Sequence, residues 1–197
     1  EVLSGELIVG DNVSQLLDVE KRKHISSHHS ATHLLHEALR QKLGLHVSQK
    51  GSLVTNDKLR FDFSHTKPIS ENELKAIEDE VNFRIMCNED VSTRVMTPDE
   101  AINTGAIALF GEKYGDKVRV VSIGKNINPH RNAWSVELCG GTHVNNTAEI
   151  STFKIIAETG VSSGVRRIEA VTSLSAIKFY NDEVDKVKHI ANFLKTN

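Results

Sequence analysis

His29 and His33 stand four residues apart in a stretch that reads as helix, so their imidazoles lie one turn apart and can chelate a single ion. A second pair, Cys139 and His143, flanks Gly140-Gly141-Thr142, where the strand-like Val136-Glu137-Leu138 delivers the thiol into a glycine turn that can fold His143 back. Three imidazoles and a thiolate are a donor set that Zn2+ takes, and in a chain with only two cysteines a Cys beside a His is better explained by metal than by a disulfide. A His-x-x-x-His pair alone is a weak signal, and the competing reading makes Cys139 a core thiol and His143 a surface residue. Cys87, at the end of an amphipathic segment, reads as an ordinary buried thiol. Ten histidines are present, and His24, His28, His29, His33 and His36 crowd into one segment.

The elements that must position these groups follow from periodicity. Residues 22–43 carry a helical pattern that stops at Gly44, a C-cap. On a wheel at roughly 100° per residue, Ala31, Leu34, Leu35 and Ala38 form one face and His29, His33 and His36 the opposite one, so the imidazoles are expected to project away from the core. Thr32 sits between the two faces. Residues 2–20 alternate apolar and polar around Gly5, Gly10 and Asp11-Asn12, which reads as two short strands. Residues 47–63 read as strands joined by the turn Thr55-Asn56-Asp57-Lys58. Ser70 with Glu73 and Thr97 with Glu100 are capping boxes that open two helices, the first with the stripe Leu74, Ile77, Val81 and Ile85. Strands are expected at 91–96, 117–123, 133–138, 152–157 and 164–171, and a last helix at 173–195. Strands and helices do not alternate strictly, so the expected fold is α+β, a largely antiparallel sheet with packed helices, rather than a doubly wound parallel sheet.

Composition bounds the function. With 197 residues, 39% hydrophobic and 25% charged, the chain can bury a real core and is no disordered tail. Lys and Arg number 24 against 26 Asp and Glu, a net charge of −2, so any polyanion must be held by a local patch. The longest apolar run, 106–110, is far below the ~18 residues of a membrane span, and no signal-peptide pattern opens the chain. A soluble protein of the reducing cytoplasm, with no membrane partner, is the expectation.

At these motifs the sequence resembles the editing domain of alanyl-tRNA synthetase, shared with the free-standing AlaX-type deacylases. The likeness runs through His29-Ser30-Ala31-Thr32-His33-Leu34-Leu35-His36, His46-Val47-Ser48-Gln49-Lys50-Gly51-Ser52 and Leu59-Arg60-Phe61-Asp62-Phe63. It continues in Ala108-Leu109-Phe110-Gly111-Glu112-Lys113-Tyr114-Gly115, Cys139-Gly140-Gly141-Thr142-His143 and Gly164-Val165-Arg166-Arg167-Ile168-Glu169-Ala170. Threonyl-tRNA synthetase editing domains look similar around the His pair, but Cys-Gly-Gly-Thr-His with Arg-Arg-Ile-Glu-Ala points to the alanyl branch. The resemblance implies hydrolysis of Ser-tRNA(Ala) and Gly-tRNA(Ala), zinc on His29, His33, Cys139 and His143, and Thr32 and Gln49 in the amino-acid pocket, which with Cys139 form the candidate catalytic set. It also implies an excised piece of a synthetase, 1–21 closing a preceding β-barrel and 22–197 forming the editing domain; Glu1 in place of Met agrees. The sequence departs from the family at His28, often Asn, in a polar insert at 126–132, and at Ser173, generally Gly.

The chemistry this implies is attack of water on an ester carried by the terminal ribose. No Gly-x-Ser-x-Gly elbow is present, so a water mechanism is preferred to a covalent one. Zinc can activate water and polarise the carbonyl, although four protein ligands close a tetrahedral site where catalytic zinc keeps one position open. A tRNA-acceptor-binding module with purely structural zinc is therefore the alternative. A zinc peptidase is disfavoured because the helix lacks the glutamate of His-Glu-x-x-His. Since a pocket that admits serine cannot exclude alanine by size, a polar group must reward the serine hydroxyl. Thr32 is the candidate, unless its hydroxyl only bonds one turn back. Lys50, Lys113, Arg166 and Arg167 are the candidate tRNA contacts. The two arginines adjoin in a strand and point to opposite faces, and one is free to pair with Glu169.

Overall fold

The computed structural model describes residues 4–107, 115–125 and 133–195. Lys113, most of the 108–115 motif and the insert at 126–132 lie outside the described residues. Helix α1 (Val19–Leu43) begins three residues before the periodicity suggests, because the Asp18 carboxylate accepts from the Lys21 N–H at 2.9 Å and caps it. It ends at Gly44, whose φ of 117° few side chains adopt. Strands β1 (Gln49–Val54) and β2 (Leu59–Ser64) form a hairpin on the expected turn, where Thr55 N–H donates to the Lys58 carbonyl. Both capping boxes are made, opening α2 (Glu71–Met86) and α3 (Pro98–Asn103) on either side of β3 (Val91–Met96). Strands β4 (Val118–Ile123), β5 (Ser135–Leu138), β6 (Phe153–Ser162) and β7 (Val165–Thr172) follow, then α4 (Ser173–Phe193).

The strands form two antiparallel sheets, β1-β2-β7-β6 and β3-β4-β5. The fold class is α+β as expected. Helices α1 and α2 pack on each other, and the main core joins Leu34, Leu35 and Leu39 of α1, Ile77, Val81 and Ile85 of α2, Phe61 and Phe63 of β2, Phe153 of β6 and Ile168 of β7. Each such side chain contributes about 1.5–3 kcal/mol by leaving water. Strand β4 serves two cores through its period of two: Val121 and Ile123 enter the main cluster, while Val118 and Val120 meet Ala101, Ala133 and Val136.

Three expectations change. No strand forms at 4–18, where two short ones were expected; Leu7, Ile8, Val9, Val13 and Leu16 are exposed, and a strand needs a pairing partner that the described residues do not provide. Cys87 is exposed, because it lies about 200° around the helix from core-facing Ile85. The histidine face of α1 is not turned to solvent: residues 26–28 and 30–39 are buried, since β5 and the segment after it cover the side opposite the leucines. The last helix, by contrast, buries little, with Leu174, Ile177, Val184, Val187 and Phe193 exposed.

Candidate metal centre

Helix α1 carries His29 and His33 on successive turns, and β5 runs out into Cys139 and the turn that brings back His143. One donor atom from each of these four residues lies within 4.8 Å of all the others. The His29 and His143 ring centroids are 4.4 Å apart, and those of His33 and His143 5.0 Å. His29 Nε2 approaches Cys139 Sγ at 3.4 Å. The Nε2 atoms of His33 and His143 are buried and without hydrogen-bond partners, a state that costs roughly 1–3 kcal/mol each unless something accepts their lone pairs or protons. A metal ion resolves both. The donor set and the orphaned nitrogens fit a tetrahedral ion held by three nitrogens and one sulfur.

The outer atoms are held as well as the inner ones. Glu137, 6% exposed, stands two residues before Cys139 on the same face of β5; its Oε2 lies 3.0 Å from His33 Nδ1 and its Oε1 accepts from His36 Nδ1 at 3.0 Å. Such a carboxylate fixes the tautomer that turns the other ring nitrogen toward an ion. Burial alone would raise Glu137, but the His33 charge and the hydrogen bonds from His33 and His36 hold it well below the usual carboxylate range. Burial works against protonated His33 too, and is outweighed by the Glu137 charge, raising it to about 10. Burial of Cys139 is overcome by the imidazoles of His143, His29 and His33 gathered around its sulfur, which bring the thiol down to about 3, so the thiolate that binds metal is the favoured form. Ser30 Oγ accepts from the Val144 N–H at 3.1 Å and contacts His143 Nδ1 at 3.3 Å.

The glycine turn is needed for space. A Cβ on Gly141 would overlap the His29 ring, and the Gly141 N–H donates to Cys139 Sγ at 3.4 Å. Arg119 of β4 clamps the turn, its Nη1 donating to the carbonyls of Cys139 (2.8 Å) and Gly141 (2.6 Å). Beside the cluster, His28 is fully buried and bridges three elements: Nδ1 donates to the Thr55 carbonyl at 3.0 Å and Nε2 accepts from the Thr172 N–H at 3.1 Å. Burial lowers it to about 4, which keeps it neutral as that bridge demands.

The remaining expected site residues fare differently. Thr32 is 3% exposed and donates its hydroxyl to the His28 carbonyl at 2.9 Å, so only its acceptor lone pairs are left for a substrate. Gln49 is half-buried at the start of β1, and Lys50 is exposed. Both arginines are neutralised. Arg166 donates to the two oxygens of Glu158 at 2.5 and 2.6 Å, and Arg167 to those of Asp62 at 2.7 Å each. Neither pairs with Glu169, which takes Lys58 at 2.7 Å. The register explains this: Arg167 stands directly opposite Asp62 across β2 and β7. They do sit on opposite faces, as two adjacent strand residues must. Sequence reasoning missed Glu137, Arg119, Ser30 and the bridging role of His28. Of these only Glu137 carried a local signal, its two-residue spacing from Cys139.

Residues 118–169 match the family model described as the threonyl and alanyl tRNA synthetase second additional domain, a span that includes Cys139 and His143 but not the α1 histidines. The chain is 54% identical over 196 residues to an alanine–tRNA ligase of Rhizorhabdus wittichii, covering 99% of this chain and 22% of that protein. It is 55% identical over 194 residues to an alanine–tRNA ligase of Sphingopyxis alaskensis, covering 98% and 22%. The chain thus spans about a fifth of the length of these curated relatives.

Proposed function

We propose, from its similarity to alanine–tRNA ligases and the match of residues 118–169 to the second additional domain of threonyl and alanyl tRNA synthetases, that this chain hydrolyses the ester of mischarged tRNA(Ala), releasing serine or glycine. The observation that carries the reading is the convergence of His29, His33, Cys139 and His143 with two imidazole nitrogens left unpartnered. These four residues would hold zinc, which when bound supplies Lewis acidity toward an ester carbonyl. The protein's own groups do the rest. Glu137 and Ser30 fix two of the imidazoles, Arg119 fixes the turn, and Gly141 leaves room for His29. Thr32, its proton already given to His28, can only accept, so it would reward a substrate that brings a hydroxyl donor, as serine does and alanine does not. Gln49 and Lys50 are proposed at the amino-acid and tRNA sides of the pocket. The proposed setting is the cytoplasm, with the rest of a synthetase chain as partner. Among the described residues no helix is long and apolar enough to cross a membrane.

A second reading has one observation in its favour: four protein donors close a tetrahedral site, as in structural zinc centres, which suits a module that only binds the tRNA acceptor end. Incubation of the zinc-loaded chain with Ser-tRNA(Ala) and Ala-tRNA(Ala), with and without chelator, separates the two. Chelator-sensitive hydrolysis of the seryl ester with the alanyl ester spared is expected, and Thr32→Val should narrow that preference. A folded, zinc-loaded chain that binds tRNA and leaves the seryl ester intact would overturn the hydrolytic reading.

A further inference from the structure

Two histidines outside the metal cluster also meet through their ring nitrogens. His46 follows α1 and His65 follows β2; the end of α1 at Leu43 lies ten residues beyond His33, about 15 Å of helical rise. His46 Nε2 is 3.0 Å from His65 Nδ1, and the ring centroids are 5.3 Å apart. The rings therefore meet end to end, with one hydrogen between the two nitrogens when both are neutral.

The main chain holds both residues in place. Ser64 Oγ donates to the His46 carbonyl at 2.7 Å and accepts from the Ser48 N–H at 2.9 Å, and the Ser64 N–H donates to the Ser48 carbonyl at 3.0 Å. The His65 N–H donates to the Gly164 carbonyl at 2.9 Å. His46 is exposed, so its ring can swing its lone pair toward an ion while its backbone stays fixed. The shared hydrogen then moves through water to the outer nitrogen of the ring that carries it, so both facing nitrogens offer lone pairs and no proton is released. Burial and the nearby His46 hold His65 below its ordinary value of 6.5, which favours the neutral imidazole that binds metal. Glu73 adds a negative charge close to His65, and the neighbouring cation, Arg166, is already paired with Glu158.

The spacing selects the ion. With metal–nitrogen bonds of about 2.0–2.1 Å, two nitrogens 3.0 Å apart subtend about 94° at the metal, whereas a tetrahedral angle needs them about 3.3–3.4 Å apart. A right angle is the cis arrangement of square-planar and octahedral sites, which with imidazole ligands suits Ni2+ or Cu2+ better than Zn2+. Among the described residues no third His, Cys, Asp or Glu completes the pair, so water would fill the remaining positions.

We propose that His46 and His65 form a second metal site, separate from the four-residue cluster, which takes a divalent ion of right-angle coordination, Ni2+ or Cu2+, on two imidazoles and water. The site is independent of the hydrolytic reading.

The test is isothermal titration of the zinc-loaded chain with nickel chloride at neutral pH, with zinc release followed in parallel. An equimolar amount of nickel should bind while the zinc stays in place. His46→Gln and His65→Gln should each weaken nickel binding by about tenfold or more, with zinc content and far-UV circular dichroism unchanged. His189→Gln on α4 is the distant control and should bind nickel like the wild type. In the unmutated chain, one equivalent of Cu2+ should give a tetragonal paramagnetic-resonance spectrum whose spin-echo modulation reports two imidazoles. Nickel taken up only as zinc leaves, both pair variants binding nickel like the wild type, or a copper spectrum with a single imidazole would each overturn the proposal.

Discussion

Glu137 shares one carboxylate between His33 and His36, and its removal separates two roles that a ligand mutation would mix. Glu137→Gln keeps the shape and one acceptor oxygen but loses the charge that holds both imidazoles. Metal affinity is expected to fall by about 10–100-fold, the usual effect of losing such a partner, with far-UV circular dichroism unchanged. A chelator competition titration reads it, and wild-type affinity would mean that His33 is oriented by packing alone. The donor set was legible in the sequence because its parts are local: a helical spacing of four, and a cysteine and histidine around two glycines. Arg119 was not, because a guanidinium bonding backbone carbonyls leaves no residue pattern. His28 looked like a departure from a family motif, yet its burial between Thr55 and Thr172 depends on chain pairings far from it in sequence.

Elements were legible where the signal is covalent and near: both capping boxes, the hairpin turn and the glycine cap of α1 stand where the residues put them. Pairings across strands were less so. Which carboxylate takes Arg167 depends on the register of β2 against β7, which no local pattern states. That pair yields a prediction about acid. The Arg167 hydrogen bonds hold Asp62 below its ordinary value of 3.8, with burial opposing them. A carboxylate whose folded pKa is depressed contributes stability that is complete above the unfolded value and is lost as pH falls through the folded one. Urea midpoints of the wild type and Asp62→Asn should therefore differ most from pH 5 upward and converge below about pH 4. A gap that stays constant down to pH 2 would show that Asp62 contributes by shape and not by charge. Burial of the histidine face of α1 was equally beyond a helical wheel, since a wheel knows the element but not what covers it.

For the molecule as a whole, the candidate metal centre joins α1 to the turn after β5. His29 and Cys139 are 110 residues apart in sequence and 3.4 Å apart in space. Closing a loop of that size costs entropy that the surrounding core has to offset, so the four donors are expected to meet only after both sheets have formed. An ion that binds only this late assembly acts on one limb of the kinetics. In stopped-flow measurements zinc should slow unfolding by the full factor of its stabilisation and leave the refolding rate unchanged, because interactions absent from the transition state act on escape from the native state. Refolding accelerated by zinc would mean that the cluster nucleates the fold. On the proposed zinc site, the ligand spacing would make the ion a brake on unfolding: depletion of zinc is then expected to shorten the lifetime of the folded state without making the chain any slower to fold.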